Sequence, residues 1–266
     1  MHNSIVEKLA AIVKELPGLP TVAQEVLRQL SVPGTNPAVL EQTMSRDPAL
    51  SLRVLRMANS AYYRRGREIS SLSDAIVLLG FKTIQSLVLS SAVVNVLNSA
   101  GSIAPRLWEH CFAVGVACRE LARMNGLPVH EREEAFLAGL FHDVAKGVIA
   151  SRFPGIYSFP KTAADERDLL GFDHAQLGLV LLNKWQIPSA LSDAVGGHHS
   201  GAPGLLASLI QAGNCVAQPI APGVAPLPRE CPEELAVRWS LDVASMAALR
   251  EKTEETISEE RSISDG

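Results

Sequence analysis

Histidine and aspartate residues in the second half of the chain are spaced so that separate helices could bring them to one place. Imidazole and carboxylate groups together suit divalent transition metals such as iron, manganese or zinc. Two metals held in this way can activate water and stabilise a phosphoryl transition state. The candidate chemistry is therefore metal-dependent phosphoester hydrolysis, and the candidate metal ligands in chain order are His110, His142, Asp143, His174, His198 and His199.

A lysine close to these candidates could contribute to the same chemistry. Lys146 follows His142 by four residues, which places both side chains on one face of a continuous helix. Its ammonium group could hold a phosphate oxygen, and Lys146 and Asp143 would then be the catalytic residues of an active enzyme. The simpler interpretation of Lys146 is a solvated helix residue. Likewise, His142 and Asp143 could be a buried, hydrogen-bonded pair that fixes helix packing after catalysis has been lost, because buried polar groups need partners.

The adjacent residues His198 and His199 are not equivalent if they lie at the end of a helix. Neighbouring helical residues point about 100° apart, so we expect at most one of the two imidazoles to point straight at a given metal. The other should lie at the helix C-terminus, where positive charge is favoured.

Helices must position these candidates, because hydrophobic residues follow a helical period along nearly the whole chain. No strand pattern of any strength is present, so we predict an all-α fold. The candidate ligands fall on or beside predicted helices at about 105–125, 130–149, 174–185, 188–197 and 203–217.

Local signals mark where several helices begin. Asn36-Pro37 and Asp47-Pro48 each combine an N-cap residue with proline at the first helical position. Asp173 with Gln176 resembles a capping box. Two apolar helices are predicted at about 72–79 and 81–98, and the segment SAGSIAP (99–105) is the best internal boundary.

The charge of the chain argues against general nucleic-acid binding, which needs a net basic surface. The formal net charge is −4, from 28 acidic and 24 basic residues. The last sixteen of the 266 residues hold six of the acidic and two of the basic residues, so the other 250 are balanced at 22 of each.

An arginine-rich stretch is the main feature of the sequence that favours nucleic-acid binding. Arginine and aromatic residues together suit RNA or phosphate, so an RNA-binding regulator is one alternative. The balanced charge elsewhere favours an exposed face, or a docking surface for an acidic partner. The stretch comprises Arg53, Arg56, Arg64, Arg65 and Arg67 with Tyr62 and Tyr63.

Cysteine usage and the apolar segments predict a cytoplasmic protein without a membrane partner. The N-terminal sequence MHNSIVEKLA lacks the order of a signal peptide. No apolar run is expected to cross a bilayer, and residues 86–97 come closest. Four cysteines form no CxxC pair and are expected to be free thiols in a reducing compartment: Cys111, Cys118, Cys215 and Cys231.

The order of the candidate ligands resembles a known superfamily. FHDVAK (141–146) is similar to the signature of the HD superfamily of metal-dependent phosphohydrolases. Four longer segments resemble the HD-related output domain, HDOD, and the resemblance covers roughly residues 15–217. They are SRDPALSLRVLRMANSAYY (45–63), ISSLSDAIVLLGFKTIQSLVLS (69–90), WEHCFAVGVACRELA (108–122) and LGFDHAQLGLVLLNKWQIPSALSDAVGGHH (170–199).

The resemblance implies a two-lobed, all-helical HDOD fold. Its helical lobe would span residues 1–100 and its HD-type lobe residues 105–217, with a loop and a C-terminal helical extension at 218–266. It also implies bacterial signal transduction, often alongside two-component or cyclic-di-GMP pathways. Most members of the family have no established catalytic activity.

Two departures from the hydrolase pattern favour a catalytically degenerate regulator that acts through protein–protein contacts. HD hydrolases carry a late aspartate ligand, and here Asn214 in LASLIQAGNCVA (206–217) stands at that position. No Gly-Tyr-Pro segment follows His199. The partners would be signalling proteins in trans, because 218–266 is too short for a fused domain, and a nucleotide is a possible ligand. The alternative is a phosphohydrolase that acts on a nucleotide or cyclic dinucleotide, with iron, manganese or zinc.

Overall fold

The computed structural model is helical, as the sequence predicts. It describes residues 12–60, 63, 66, 68–200, 204–224 and 231–264, and no strand occurs among them. These residues form a 3-10 turn at Gly101–Ile103 and thirteen α-helices: α1 (Thr21–Leu30), α2 (Pro37–Met44), α3 (Pro48–Asn59), α4 (Leu72–Asn98), α5 (Ala104–Met124), α6 (Val129–Phe141), α7 (Val144–Arg152), α8 (Ala163–Leu170), α9 (His174–Lys184), α10 (Ser189–Gly197), α11 (Leu205–Ala217), α12 (Glu233–Arg238) and α13 (Val243–Ser264).

The N-terminal unit comprises residues 19–92, together with the residues after Glu259. Its core is apolar and is contributed by α1, α2, α3 and the first part of α4; Val26, Leu40 and Val54 are fully buried there. The predicted caps are confirmed: the Asn36 side chain accepts from the backbone N–H of residue 39, and Asp47 accepts from that of residue 50. Each cap satisfies a backbone donor that the helix itself leaves without a partner.

The arginine-rich stretch is only partly described. Arg53 and Arg56 lie half-buried on α3. Arg64, Arg65, Arg67 and Tyr62 lie outside the described residues, so the RNA-binding alternative stays a prediction.

Helix α4 contains a break at the position that the sequence predicts. Gly80 lies at φ 78° and ψ 158° and separates two helical stretches, and a positive φ is readily adopted only by glycine. The expectation that no apolar run reaches membrane-spanning length is wrong: Leu72–Asn98 is the one helix in the described residues that is long and apolar enough by length and composition. Its most apolar window is 56% buried within the protein, as in a core helix.

The C-terminal unit comprises residues 93–259 together with 12–18. Its centre is α5, which packs along α6 and α11. Glycines allow these helices to approach closely. A Cβ atom on Gly139 of α6 would lie 2.8 Å from the backbone of Gly115 on α5, and one on Gly213 of α11 would lie 2.6 Å from Cys118 Sγ.

The predicted helix at 130–149 is wrong in one respect that matters for function. Two helices, α6 and α7, occupy this region, and His142 and Asp143 lie in the break between them. Asp143 leaves the helical region at φ −109° and ψ 6°, and its carboxylate pairs with Lys146 in the first turn of α7. Polar contacts, which the hydrophobic period does not record, therefore decide where α6 ends.

Candidate metal and ligand pocket

The structure brings every sequence-predicted site residue into the C-terminal unit. His110 lies on α5, His174 is the first residue of α9, and Asn214 lies on α11. A pocket of about 880 Å³ is lined by these three and by Asp143, Lys146, His198 and His199. His142 is fully buried beside Asp143.

Asp143 lies at the centre of the site and is only 2% exposed. Its Oδ2 atom lies 3.4 Å from His142 Nε2 and 3.6 Å from His110 Nε2. Its Oδ1 atom lies 3.2 Å from His174 Nε2. The two oxygens of one carboxylate therefore face two different sets of imidazoles.

These side chains form two groups whose ligand atoms all lie within 4.8 Å of one another. The first group is His110, His142 and Asp143, and the second is His174, His198 and His199. Groups of three nitrogen and oxygen donors at this separation can bind a divalent transition metal.

Three imidazoles of the site are oriented by hydrogen bonds that their Nδ1 atoms donate to backbone carbonyls. His110 Nδ1 donates to the Ala221 carbonyl at 2.8 Å, His142 Nδ1 to the Gly139 carbonyl at 2.7 Å, and His198 Nδ1 to the Val195 carbonyl at 2.6 Å. A proton fixed on Nδ1 leaves Nε2 with a lone pair directed into the site. Metal-ligating histidines are oriented in this way by outer hydrogen bonds.

Two of these Nε2 atoms, on His142 and His198, are buried and have no hydrogen-bond partner. A buried polar atom without a partner costs about 1–3 kcal/mol and usually has a reason in the function of the protein. The residues therefore fit a divalent metal, which would take up these lone pairs.

His174 is held by a buried network that sequence reasoning missed. Its Nδ1 donates to Glu166 Oε2 at 2.6 Å, and its backbone N–H donates to the same oxygen at 2.7 Å. Tyr157 OH donates to Glu166 Oε1 at 2.8 Å. Glu166 lies on α8, eight residues before His174. Sequence reasoning missed it because the spacing of a glutamate does not show whether its side chain is buried or on the surface.

The structure places both adjacent imidazoles in the pocket, and the expectation that at most one of them points straight at a given metal stays a prediction. His199 Nε2 lies 2.9 Å from His174 Nε2, and the ring centroids of His198 and His199 are 4.0 Å apart. His198 is the C-cap residue of α10, so one of the pair lies at the helix C-terminus as expected, and its Nδ1 bonds the Val195 carbonyl in the last turn.

Lys146 is not a solvated residue, so that simpler interpretation is also wrong. It is 2% exposed, and its Nζ atom lies 2.7 Å from Asp143 Oδ2. An ammonium group thus already neutralises the carboxylate of the first group, which also contacts His174 of the second group.

Burial sets the protonation state of the site. It lowers the pKa of His142 to about 3 and that of His199 to about 4, and it also lowers the pKa of His110 and His198. Burial alone would raise the pKa of Asp143, but His142 and Lys146 hold it well below its usual range. Neutral imidazoles around an ionised carboxylate are the protonation state that metal binding requires.

Asn214 lines the same pocket, and its Oδ1 atom is buried without a hydrogen-bond partner. The wider rim carries further cations, Lys161, Arg167 and Arg238, of which Arg167 pairs with Asp173. Asp173 also forms the predicted capping box of α9 with Gln176.

Known proteins that resemble this chain share its fold. The HDOD domain family matches residues 16–201. The crystal structure of a candidate phosphohydrolase from Shewanella amazonensis SB2B has a TM-score of 0.70 at 24% identity, and the match covers 95% of this chain and 97% of that one. An HDOD domain protein of unknown function from Geobacter sulfurreducens has a TM-score of 0.68 at 21% identity, with 96% and 94% covered.

One relative has a described activity. Cyclic di-GMP phosphodiesterase CdgJ of Vibrio cholerae serotype O1 is 29% identical over 120 residues, which are 45% of this chain and 27% of CdgJ. The chain spans less than half the length of the curated relatives that it matches.

Proposed function

Because the chain belongs to the HDOD family, we propose that it is a bacterial signal-transduction module that acts through protein–protein contacts and has lost catalysis. Its pocket would bind a divalent metal or a phosphate-bearing ligand as an input. The partners would be signalling proteins of two-component or cyclic-di-GMP pathways, met in trans in the cytoplasm.

The charge of the pocket is the observation that carries this proposal. Asp143 is the carboxylate of the first ligand group and also contacts His174 of the second, and it is paired with Lys146 at 2.7 Å. Glu166 is already bonded to His174 and Tyr157. With an amide at Asn214, the carboxylate that faces the candidate ligands is Asp143, and Lys146 already offsets its charge.

A bound divalent metal would supply Lewis-acid activation of water. His110, His142 and Asp143 would hold one metal, and His174, His198 and His199 are the candidates for a second. Lys146 keeps Asp143 ionised and in place, and the hydrogen bonds to Nδ1 keep the imidazole lone pairs directed into the site. Weak metal binding would suit a sensor better than an enzyme.

The cations of the pocket favour a phosphate-bearing ligand. Lys146 lies at its floor, and Lys161, Arg167 and Arg238 contribute to its wall. Arginine and lysine side chains are the usual protein groups that bind phosphate. A nucleotide would place its phosphates among these cations.

The second candidate function is a metal-dependent phosphohydrolase that acts on a nucleotide or cyclic dinucleotide. The buried Nε2 atoms of His142 and His198, which have no partner, favour it. In that case Asp143 and Lys146 would be the catalytic residues.

Metal content and turnover distinguish the two functions. The purified protein and a His142→Ala/Asp143→Ala variant are loaded anaerobically with iron or manganese, analysed for metal, and assayed with bis(4-nitrophenyl) phosphate and cyclic di-GMP. We expect sub-stoichiometric metal in the wild type, less in the variant, and no turnover by either. Turnover by the wild type that Asp143→Ala abolishes would refute the loss of catalysis.

An Asn214→Asp variant tests the charge argument directly. A carboxylate added to the pocket should raise metal affinity at least about tenfold, since about 1.4 kcal/mol of added attraction gives that factor. His130→Asp adds the same charge at an exposed residue outside the ligand groups and should leave metal affinity unchanged. Equal affinity in the wild type and Asn214→Asp would show that Asn214 does not limit metal binding.

A further inference from the structure

A second groove lies on the C-terminal unit, where α6, α10 and α11 pack on one another. It has a volume of about 590 Å³, and none of the candidate metal ligands lines it. Its inner surface is apolar: Ala194 and Ala207 are buried, and Leu127 and Leu206 are half-buried. Leu205 also lines it and is 46% exposed. Apolar surface of this kind marks an interaction site when polar residues surround it.

The charged side chains that line this groove are acidic, apart from His130, which lies 3.8 Å from Glu131. Glu131 and Glu134 come from α6 and Asp193 from α10, and no lysine or arginine of the described residues lines the groove. The helix dipole accounts for Glu131, which lies in the first turn of α6. Glu134 and Asp193 lie beyond the first turns of their helices, and neither forms an ion pair within the described part of the chain. The groove therefore offers two carboxylates, on different helices, to a cation from outside the chain.

We propose that this groove is a docking site for a basic amphipathic helix of a partner protein. The apolar side chains of such a helix would enter the groove, as in other helix-in-groove complexes. Its lysine or arginine side chains would lie beside Glu134 and Asp193, and this charge complementarity selects a basic partner over an acidic one. Ala190, Ser200 and Gly204, which also line the groove, are exposed. The groove is therefore open to a segment of another chain and does not enclose a small molecule.

The groove adjoins the metal and ligand pocket. Ser200 lines both cavities, and Gly197, which lines the groove, directly precedes His198. Gln211 on α11 donates to the carbonyls of His198 and Ser200 at 2.8 and 3.1 Å. A helix seated in the groove would therefore contact the segment that carries His198 and His199. This docking site rests on the proposed action through protein–protein contacts, whose surface and partner chemistry it specifies, but it does not depend on the loss of catalysis.

Peptide binding to the full chain tests this docking site. The probe is a fluorescein-labelled peptide of about five helical turns, with leucine along one face and lysine along the other. The control peptide has glutamate in place of each lysine. We expect the lysine peptide to bind in fluorescence anisotropy titrations and the glutamate peptide not to bind at the same concentrations. Added salt should weaken binding, because exposed charges are screened.

Paired variants separate the groove from the general charge of the protein. Glu134→Gln/Asp193→Asn removes two negative charges from the groove and should weaken binding of the lysine peptide about three- to tenfold, as expected for the loss of two exposed ion pairs. Leu205→Ser should weaken it as well, because the groove loses apolar surface. Glu251→Gln/Glu254→Gln removes the same charge from exposed residues of α13 that line neither cavity and should leave the affinity unchanged.

Hydrogen exchange locates the bound peptide, and exchange should slow in residues 127–134, 190–197 and 205–207 but not in α13. Three results would overturn the proposal: no binding of the lysine peptide, equal losses of affinity in the groove and α13 variants, or self-association of the protein that Glu134→Gln/Asp193→Asn abolishes, which would make a second copy the occupant. Peptide binding is measured without added metal or substrate. Its failure therefore leaves the turnover result standing, and turnover by the wild type leaves the peptide result standing.

Discussion

The buried imidazoles make the stability of the C-terminal unit depend on pH. In the folded protein the pKa of His142 is about 3 and that of His199 about 4, whereas an unfolded histidine titrates at 6.5. Between these values the unfolded chain binds more protons than the folded one, so stability is full above about pH 6.5 and falls as the pH is lowered.

The size of the loss follows from these pKa values. Between pH 7.5 and pH 5, the fully buried His142 should cost about 2 kcal/mol of unfolding free energy. The exposed His199 adds a smaller loss in the same direction, because solvent screens its charge. His110 and His198 add to the loss in the same direction. Since domains are typically stable by about 5–15 kcal/mol, this loss is a measurable part of the stability of the unit.

Urea unfolding followed by tryptophan fluorescence measures this loss for the C-terminal unit alone, because all three tryptophans of the chain belong to it. They are Trp108, Trp185 and Trp239. The protein is first treated with a chelator, so that no bound metal contributes. With a urea dependence of about 2 kcal/mol per molar, a loss of about 2 kcal/mol from His142 lowers the midpoint by about 1 M.

Variants assign the effect to single residues. His142→Asn keeps a side-chain donor for the Gly139 carbonyl and removes the imidazole, so it should reduce the pH-dependent loss by about 2 kcal/mol. His130→Asn, at a side chain that is 59% exposed, should not change the loss. A wild-type midpoint that is the same at pH 7.5 and pH 5 would refute the reasoning.

Two substitutions test how the helices and rings are held. Glu166→Gln should lower metal affinity about 10–100-fold, because the carboxylate on His174 is replaced by an amide, and equilibrium dialysis with manganese measures the change; equal affinity would contradict the role of Glu166. Gly139→Ala should destabilise the unit by about 1–3 kcal/mol or more in urea unfolding, because its Cβ would lie 2.8 Å from the Gly115 backbone. Gly197→Ala is the matched control, since the nearest atom to its Cβ is 3.9 Å away; equal losses in both variants would refute the packing argument.

Local features of the fold were predictable from the sequence because they depend on neighbouring residues. The N-caps Asn36, Asp47 and Asp173 each bond to a backbone N–H three residues ahead, so the residue types alone mark the helix starts. Gly80 likewise marks the break in α4. The end of α6 was not predictable, because Asp143 leaves the helical conformation and pairs with Lys146 only in the folded site.

The sequence identifies the candidate ligands of the site but not the groups that orient them. Its histidines follow an order along the chain that can be recognised, and the structure places them together. The groups that accept hydrogen bonds from these histidines include the carboxylate of Glu166, on another helix, and the backbone carbonyl of Ala221. A backbone carbonyl cannot be recognised from residue types. The ion pair between Lys146 and Asp143 forms only in the folded protein, where the chain breaks between α6 and α7.

The bond from His110 to Ala221 has a consequence for how this module can be exchanged between proteins. The HDOD match ends at residue 201, yet the carbonyl that orients His110 lies twenty residues later, and α11, which packs on α5, lies between them. A chimaera joined at residue 201 would inherit the histidines without the parts that hold them. Recombination that preserves the pocket has to carry the chain through at least Val224, which is itself fully buried.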